Sequence, residues 1–360
     1  MKIHLVGGFL GSGKTTAITN ASKLLVDKNI STSVITNDQG NYLVDSRFVQ
    51  YSEIPVAEVT GGCFCCNYNQ LDSQINNLQK EFNPEVIFAE TVGSCTDLIA
   101  TVLKPLLKFR ETDIEQVTFS SFVDSQLLLM HLQGKALPFS LETNYIWEKQ
   151  VEEAEILIVN KVDLLSTKDY ETLVRLANES FPSKLLLFQN SLDIDSVNIW
   201  VENIGKQQGI KEHKSIDIDY VKYGAGEANL AWLDEEIEIS TSDNSAVELV
   251  FDFIKKLTTE VTTRNLPIGH LKFFLSIDGQ FHKLSYTTIL EKESKIPMIL
   301  EKANKVDLLV NARIQITPDE LRNIFIDLLN QIKSKPGVSI YEKHLSFFQP
   351  GFPNPTHRIS

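Results

Sequence analysis

Short apolar runs alternate with longer segments of helical period through roughly the first 210 residues. Residues 2–7 form a short apolar strand, and 14–28 carries the periodicity of a helix that follows almost directly. Residues 31–37 are rich in β-formers, and 54–60 reads as a strand ending in Gly61-Gly62. From Asn67, the expected N-cap position, the apolar residues Leu71, Ile75, Leu78 and Phe82 recur at helical spacing. A strand at 85–90, a helix over about 97–109 kinked at Pro105, and a strand at 116–123 come next. After two further helical stretches, 155–159 is a buried-type strand that ends at Asn160. Helix 168–181, strand 184–188 and helix 195–208 complete the series. Alternation of this kind predicts an α/β fold: βαβ units making a doubly wound, mostly parallel sheet with helices on both faces.

The pattern breaks around 205–229 into a polar, glycine-containing stretch. Beyond it the order is strand (about 236–241), helix (246–263), strands (270–277, 281–288 and 306–316) and helix (318–333), a split βαβ layout of ferredoxin-like α+β type. The expected organisation is therefore a first domain at 1–210, a linker at 211–230, a smaller domain at 231–334 and a loosely attached tail at 335–360. A length of 360 residues agrees with more than one core.

Charge narrows the partners. With 34 Lys and Arg against 47 Asp and Glu, the net charge of −13 gives no footprint for nucleic acid. The sequence lacks an apolar run of 18 or more residues for a membrane span, and the glycine loop that begins at Gly7 leaves no room for an ordinary leader, so a cytoplasmic protein is expected.

Gly8-Phe9-Leu10-Gly11-Ser12-Gly13-Lys14-Thr15 matches the P-loop pattern and lies between a strand and a helix, as that motif requires. Gly8, Gly11, Ser12 and Gly13 would turn backbone N–H groups toward phosphate oxygens at a helix N-terminus. Lys14 would reach the β- and γ-phosphates, the Thr15 hydroxyl would ligate Mg²⁺, and Thr16 would touch the α-phosphate or cap the helix. Asn160-Lys161-Val162-Asp163 follows an apolar strand, where the Asp163 carboxylate could accept from guanine N1–H and its exocyclic amine. Adenine lacks that donor pair, which favours GTP and GDP over ATP.

Two more acids sit at strand ends, where ligands of parallel sheets collect. Glu90 would hold a Mg²⁺-bound water or orient the attacking one, and Gly93 would present its N–H to the γ-phosphate. Asp38, in Asn37-Asp38-Gln39-Gly40, is a second carboxylate for Mg²⁺ or a transition metal, although this tetrapeptide is equally an ordinary turn.

Of four cysteines, three fall within four positions, as Cys63-Phe64-Cys65-Cys66 just before a helix N-terminus. That setting favours thiolates, which select Zn²⁺, Cu⁺ and related ions. Three sulfurs leave a tetrahedral ion one ligand short, and Asp38, a water or a client group could supply the fourth. Buried packing and a redox pair are the competing readings of the cluster. Cys95 stands alone and reads as structural.

In this order, Gly8–Thr16, Gly61–Cys66, Glu90-Thr91-Val92-Gly93 and Asn160–Leu164 resemble the CobW-type metallochaperone GTPases, as does Gln150–Glu155 before the guanine motif. The resemblance covers about residues 1–200. It implies a P-loop GTPase that binds Zn²⁺, or Co²⁺ or a similar ion, through Cys63, Cys65 and Cys66 and delivers it to a client metalloprotein. The family's Asn-Glu-Phe-Gly segment stands here as Asn37-Asp38-Gln39-Gly40, and the His-rich stretch of many relatives is missing. The implied catalytic groups are Lys14, Glu90 and Asp38, and the assembly expectation includes a homodimer. A P-loop kinase of a small metabolite, a metal-sensing adaptor that binds nucleotide without significant hydrolysis, and a thiol oxidoreductase remain the alternatives.

Overall fold

The computed structural model describes residues 1–40, 44–50, 52–206, 213–288 and 302–360. Two units emerge, one of residues 1–39, 45–226 and 352–360, the other of 40–44 and 227–351.

The first unit is built on strands β1 (Lys2–Gly8), β2 (Thr32–Asn37), β3 (Val56–Val59), β4 (Val86–Glu90), β5 (Gln116–Asp124), β6 (Ile156–Asn160) and β7 (Leu185–Gln189), in the spatial order β3-β2-β4-β1-β5-β6-β7. Every pairing in it is parallel. Strands β4 and β6 are buried along their whole length, which is why Val86-Ile87-Phe88-Ala89 and Ile156-Leu157-Ile158-Val159 show no alternation. The helices are α1 (Lys14–Asp27), α2 (Val44–Gln50), α3 (Tyr68–Phe82), α4 (Lys104–Phe109), α5 (Ser125–Leu132), α6 (Leu141–Glu153), α7 (Thr167–Ser180), α8 (Ile194–Lys206) and α9 (Tyr220–Ala228). Trp200 of α8 packs edge-on to Phe122 at 5.1 Å and donates from its indole N–H to Ser120 Oγ at 3.0 Å. Because β1 sits at the centre, with the chain leaving it for β2 on one side and reaching β5 on the other, the crevice at its carboxyl end is the place for a ligand.

The helix expected over 97–109 differs in detail. A π-helical turn at Ile99–Leu103 runs on into α4 without a break in helical backbone, and Pro105, which has no N–H to donate, follows directly on that widened turn. The linker expected at 211–230 contains α9, while 211–212 lie outside the described residues.

The second unit has β8 (Ala231–Thr241), α10 (Ala246–Thr263), β9 (Ile268–Ile277), β10 (Gln280–Tyr286), β11 (Lys305–Ile314), α11 (Pro318–Lys333) and β12 (Val338–Phe348). The sheet is antiparallel throughout, in the order β10-β9-β11-β8-β12. Without β10 it is the split βαβ arrangement, and β10 is an added edge strand joined to β9 by the left-handed pair Asp278-Gly279. The fourth strand of that arrangement is β12, which falls in the segment expected to be a loose tail. Its apolar alternation is interrupted by a bulge between Glu342 and His344, so the pattern does not read as a strand. Helices α10 and α11 cover one face of the sheet, with Phe253 and Phe325 edge-on at 5.0 Å. On the opposite face Arg313 and Asp234, both 0% exposed, form an ion pair at 2.7 Å, and the Arg313 guanidinium lies 3.9 Å from the Trp232 ring centroid. Asn311 Nδ2 donates to the same carboxylate at 2.7 Å, which completes a hydrogen-bonded buried pair of the kind that low dielectric demands.

Candidate nucleotide and metal site

The loop between β1 and α1 turns on glycines. Gly13 has φ of 91°, and a Cβ there would stand 2.4 Å from Asn160 Nδ2, so position 13 admits no side chain on either count. The ammonium of Lys14 donates to Gly8 O at 2.8 Å and Phe9 O at 3.3 Å, so the cation lies over the loop it would serve. Asn160 Nδ2 donates to Ser12 O at 2.7 Å, while its Oδ1 accepts from the Ser191 hydroxyl at 2.8 Å. Asn160 thus fastens the phosphate loop to the segment after β7. Lys161 has φ of 63° and pairs with Asp124 at 2.9 Å, and Asp163 is exposed at the start of a short 3₁₀ turn. Thr16 is half-buried in the first turn of α1.

Thr15 Oγ1 donates to Glu90 Oε1 at 2.8 Å, and both side chains are buried. Paired hard oxygens beside a phosphate loop suit Mg²⁺. From Glu90 the chain runs back against that loop: a Cβ on Gly93 would lie 2.9 Å from the backbone nitrogen of Leu10. Gln150 of α6 holds this return by donating from Nε2 to Gly93 O at 3.0 Å and Cys95 O at 2.8 Å.

Behind the same loop, Glu153 accepts from Ile99 N–H at 2.6 Å and from the Thr96 hydroxyl at 3.4 Å. Burial pushes its carboxyl up to about 8, against those hydrogen bonds. A carboxyl whose folded value exceeds its unfolded 4.5 keeps its proton in the native state between these values, so stability falls as pH rises from about 4.5 to 8. Glu153→Gln is expected to flatten that slope and to raise stability near pH 8 by an amount on the order of a few kcal/mol, read by urea unfolding across pH.

The cysteine turn is held by Asn37, at the end of β2. Its Nδ2 donates to Val59 O at 3.0 Å and Gly62 O at 2.8 Å, and its Oδ1 accepts from Phe64 N–H at 2.8 Å. Cys66 N–H and Asn67 N–H both donate to Cys63 O, which closes the turn into α3. The sulfurs of Cys63, Cys65 and Cys66 lie within 4.8 Å of one another, near enough to bind one ion. Cys63 and Cys65 are 2.7 Å apart and Cys65 and Cys66 3.8 Å, the latter about the edge of a tetrahedron with 2.3 Å metal–sulfur bonds. Hydrogen bonds from Cys65 above all, then from Cys66 and Cys95, hold the Cys63 thiol well below its usual range despite burial. Cys65 is pushed up by the same contact with Cys63, and Cys66 to about 11. Three soft sulfur donors gathered at this spacing suit a thiophilic cation. Among the described residues the Asp38 carboxylate is not in the three-sulfur group; its backbone N–H donates to Val59 O at 3.2 Å.

The last nine residues lie on this cluster. Asn354 N–H donates to Cys66 Sγ at 3.3 Å, Thr356 N–H to Cys65 O at 2.8 Å and the Thr356 hydroxyl to Cys66 O at 2.8 Å. The His357 ring sits 5.1 Å from Tyr68 and 4.9 Å from Phe109, and Arg358 pairs with fully buried Asp97 at 2.8 Å. Sequence reasoning missed this strap, and only its Pro-aromatic composition marked it.

The family model for the CobW/HypB/UreG nucleotide-binding domain matches residues 2–186. The chain belongs to the CobW/HypB/UreG family. This family member is 29% identical over 184 residues to the zinc chaperone YeiR of Escherichia coli (strain K12), covering 48% of this chain and 50% of YeiR. It is 26% identical over 181 residues to the zinc chaperone CobW of a Sinorhizobium species, covering 45% of this chain and 51% of that protein. The chain thus spans about half the length of the curated relatives it matches. Among solved structures it aligns to HypB of Helicobacter pylori in complex with nickel at 12% identity and a TM-score of 0.42, over 60% of this chain and 91% of HypB. In the CobW/HypB/UreG protein described here, no helix among the described residues is long and apolar enough to cross a membrane.

Proposed function

We propose that this protein is a GTP-hydrolysing metal chaperone that holds Zn²⁺, or a similar thiophilic ion such as Co²⁺, on Cys63, Cys65 and Cys66 and hands it to a client metalloprotein. The observation that carries this reading is the run from Glu90 to Cys95: it meets Thr15 and Leu10 of the phosphate loop at one end and neighbours the sulfurs at the other. A change in that run on loss of the γ-phosphate would be felt at the metal.

The nucleotide chemistry is assigned to the chain's own groups. Loop N–H groups and Lys14 stabilise charge on the transferred phosphoryl, Asp163 reads guanine, and Glu90 or Asp38 orients the attacking water. Thr15 and Glu90 would hold Mg²⁺, which when bound neutralises charge on the β- and γ-phosphates. Asn160 acts on this site by keeping the loop in place. The strap at 352–360 covers the cysteines until the metal is passed on. Cytoplasmic residence and a homodimer belong to the same proposal.

Phosphate release with GTP, run with and without a tenfold excess of ATP, tests the nucleotide half. Turnover below about 10 s⁻¹, undiminished by ATP, is expected of a GTPase with no arginine finger assigned. Inhibition by that excess of ATP would favour a kinase.

A further inference from the structure

We propose that Cys95 is the fourth thiolate of the metal site, so that the ion is held by four sulfurs, one of them carried on the loop that also touches the nucleotide pocket. The inference rests on the reading of Cys63, Cys65 and Cys66 as metal ligands and adds the ligand that their spacing cannot supply.

Three sulfurs from one tight turn can occupy only one side of a tetrahedral ion. The fourth donor must reach in from another element. Cys95 does so. Its side chain is 0% exposed and is a hydrogen-bonding neighbour of both Cys63 and Cys65, although it lies thirty residues from Cys65 in sequence. It stands outside the group of three sulfurs that lie within 4.8 Å of one another, so it would have to move inward to close on a shared ion. The approach is fixed by backbone: Cys95 N–H donates to Val92 O at 3.0 Å and Cys95 O accepts from Gln150 at 2.8 Å. On the outer side, the strap closes the cluster with Asn354 N–H on Cys66 Sγ, a donor that stabilises a thiolate without competing for the ion.

The chemistry follows from the ligand set. Four thiolates favour Zn²⁺ over the oxygen-seeking ions. They also give the ion a releasable ligand: a movement of Gly93 against Leu10 would carry Cys95 with it, since only Ser94 separates them, and leave a three-sulfur site open to a client's donor. Binding of Zn²⁺ here displaces thiol protons to solvent, one for each thiol that becomes a thiolate, and no oxidant or reductant takes part.

Zinc-edge X-ray absorption on the full-length protein loaded with one Zn²⁺ counts the ligands directly. Four sulfurs at about 2.3 Å are expected, and three sulfurs with one nitrogen or oxygen would overturn the proposal. Co²⁺ loading of Cys95→Ser gives a second readout: thiolate-to-cobalt absorption per bound ion should fall by about one quarter, as one thiolate of four is lost. Unchanged absorption in Cys95→Ser, together with its loss in Cys65→Ser, would remove Cys95 and leave the three-cysteine site standing. Retention of the full band in Cys65→Ser would instead remove the metal-site reading itself.

Discussion

Cys65→Ser is expected to lower zinc affinity at least about a hundredfold, because apparent binding free energies of roughly 10–16 kcal/mol for structural zinc are divided among about four ligands. Cys65 is the central sulfur of the trio, in contact with Cys63 on one side and Cys66 on the other, and its carbonyl also accepts from Thr356. Serine keeps the size and loses the soft donor, so a folding defect is not expected. Competition with a chromophoric zinc chelator measures the effect. Affinity within a factor of about three of the unaltered protein would show that the sulfurs are packing groups, since one lost thiolate should exceed that by far.

Lys14→Ala is expected to reduce GTP hydrolysis by about 10² to 10³-fold, the range for removal of one preorganised donor to transition-state charge. The residue is buried, with its ammonium on the carbonyls of Gly8 and Phe9. Removal therefore takes away the cation without exposing an apolar core. Zinc binding should survive, because the Lys14 ammonium bonds the phosphate-loop carbonyls of Gly8 and Phe9 and the ion is assigned to the cysteine sulfurs. Single-turnover phosphate release and the chelator assay, applied to one preparation, separate the two effects. Parallel loss of both would point to a collapse of the first unit.

The nucleotide half of the site was legible because its parts are local. Eight consecutive residues form the phosphate loop, and Asn160 to Asp163 stand at a strand end, where parallel sheets gather ligands. Asn160, read as part of a base-recognition motif, also holds Ser12 and Ser191 with its side chain, a tie that no local pattern announced. The metal half was legible only in its three clustered cysteines. Asn37 was passed over for its acidic neighbour Asp38, yet Asn37 staples the cysteine turn, because an amide can both donate and accept where a carboxylate only accepts. Cys95 read as structural and residues 352–360 as part of a loose tail for a different reason. Their meaning comes from contacts across 30 to 290 residues of chain, and neither period nor spacing records such distances.

In the second unit both helices and strands β9 and β11 showed their periods plainly, whereas β8 begins at Ala231, ahead of the strand expected at about 236–241. The edge strand β12 did not show its period, since solvent on much of its surface and a bulge erase the alternation that a buried strand displays.

In the proposed mechanism nucleotide and metal sense each other through residues 90–95. Zinc affinity of the same full-length protein, measured by chelator competition with Mg²⁺ and either a non-hydrolysable GTP analogue or GDP, tests it most directly. At least about a tenfold difference between the two states is expected, a coupling near 1.4 kcal/mol. Identical affinities would contradict it.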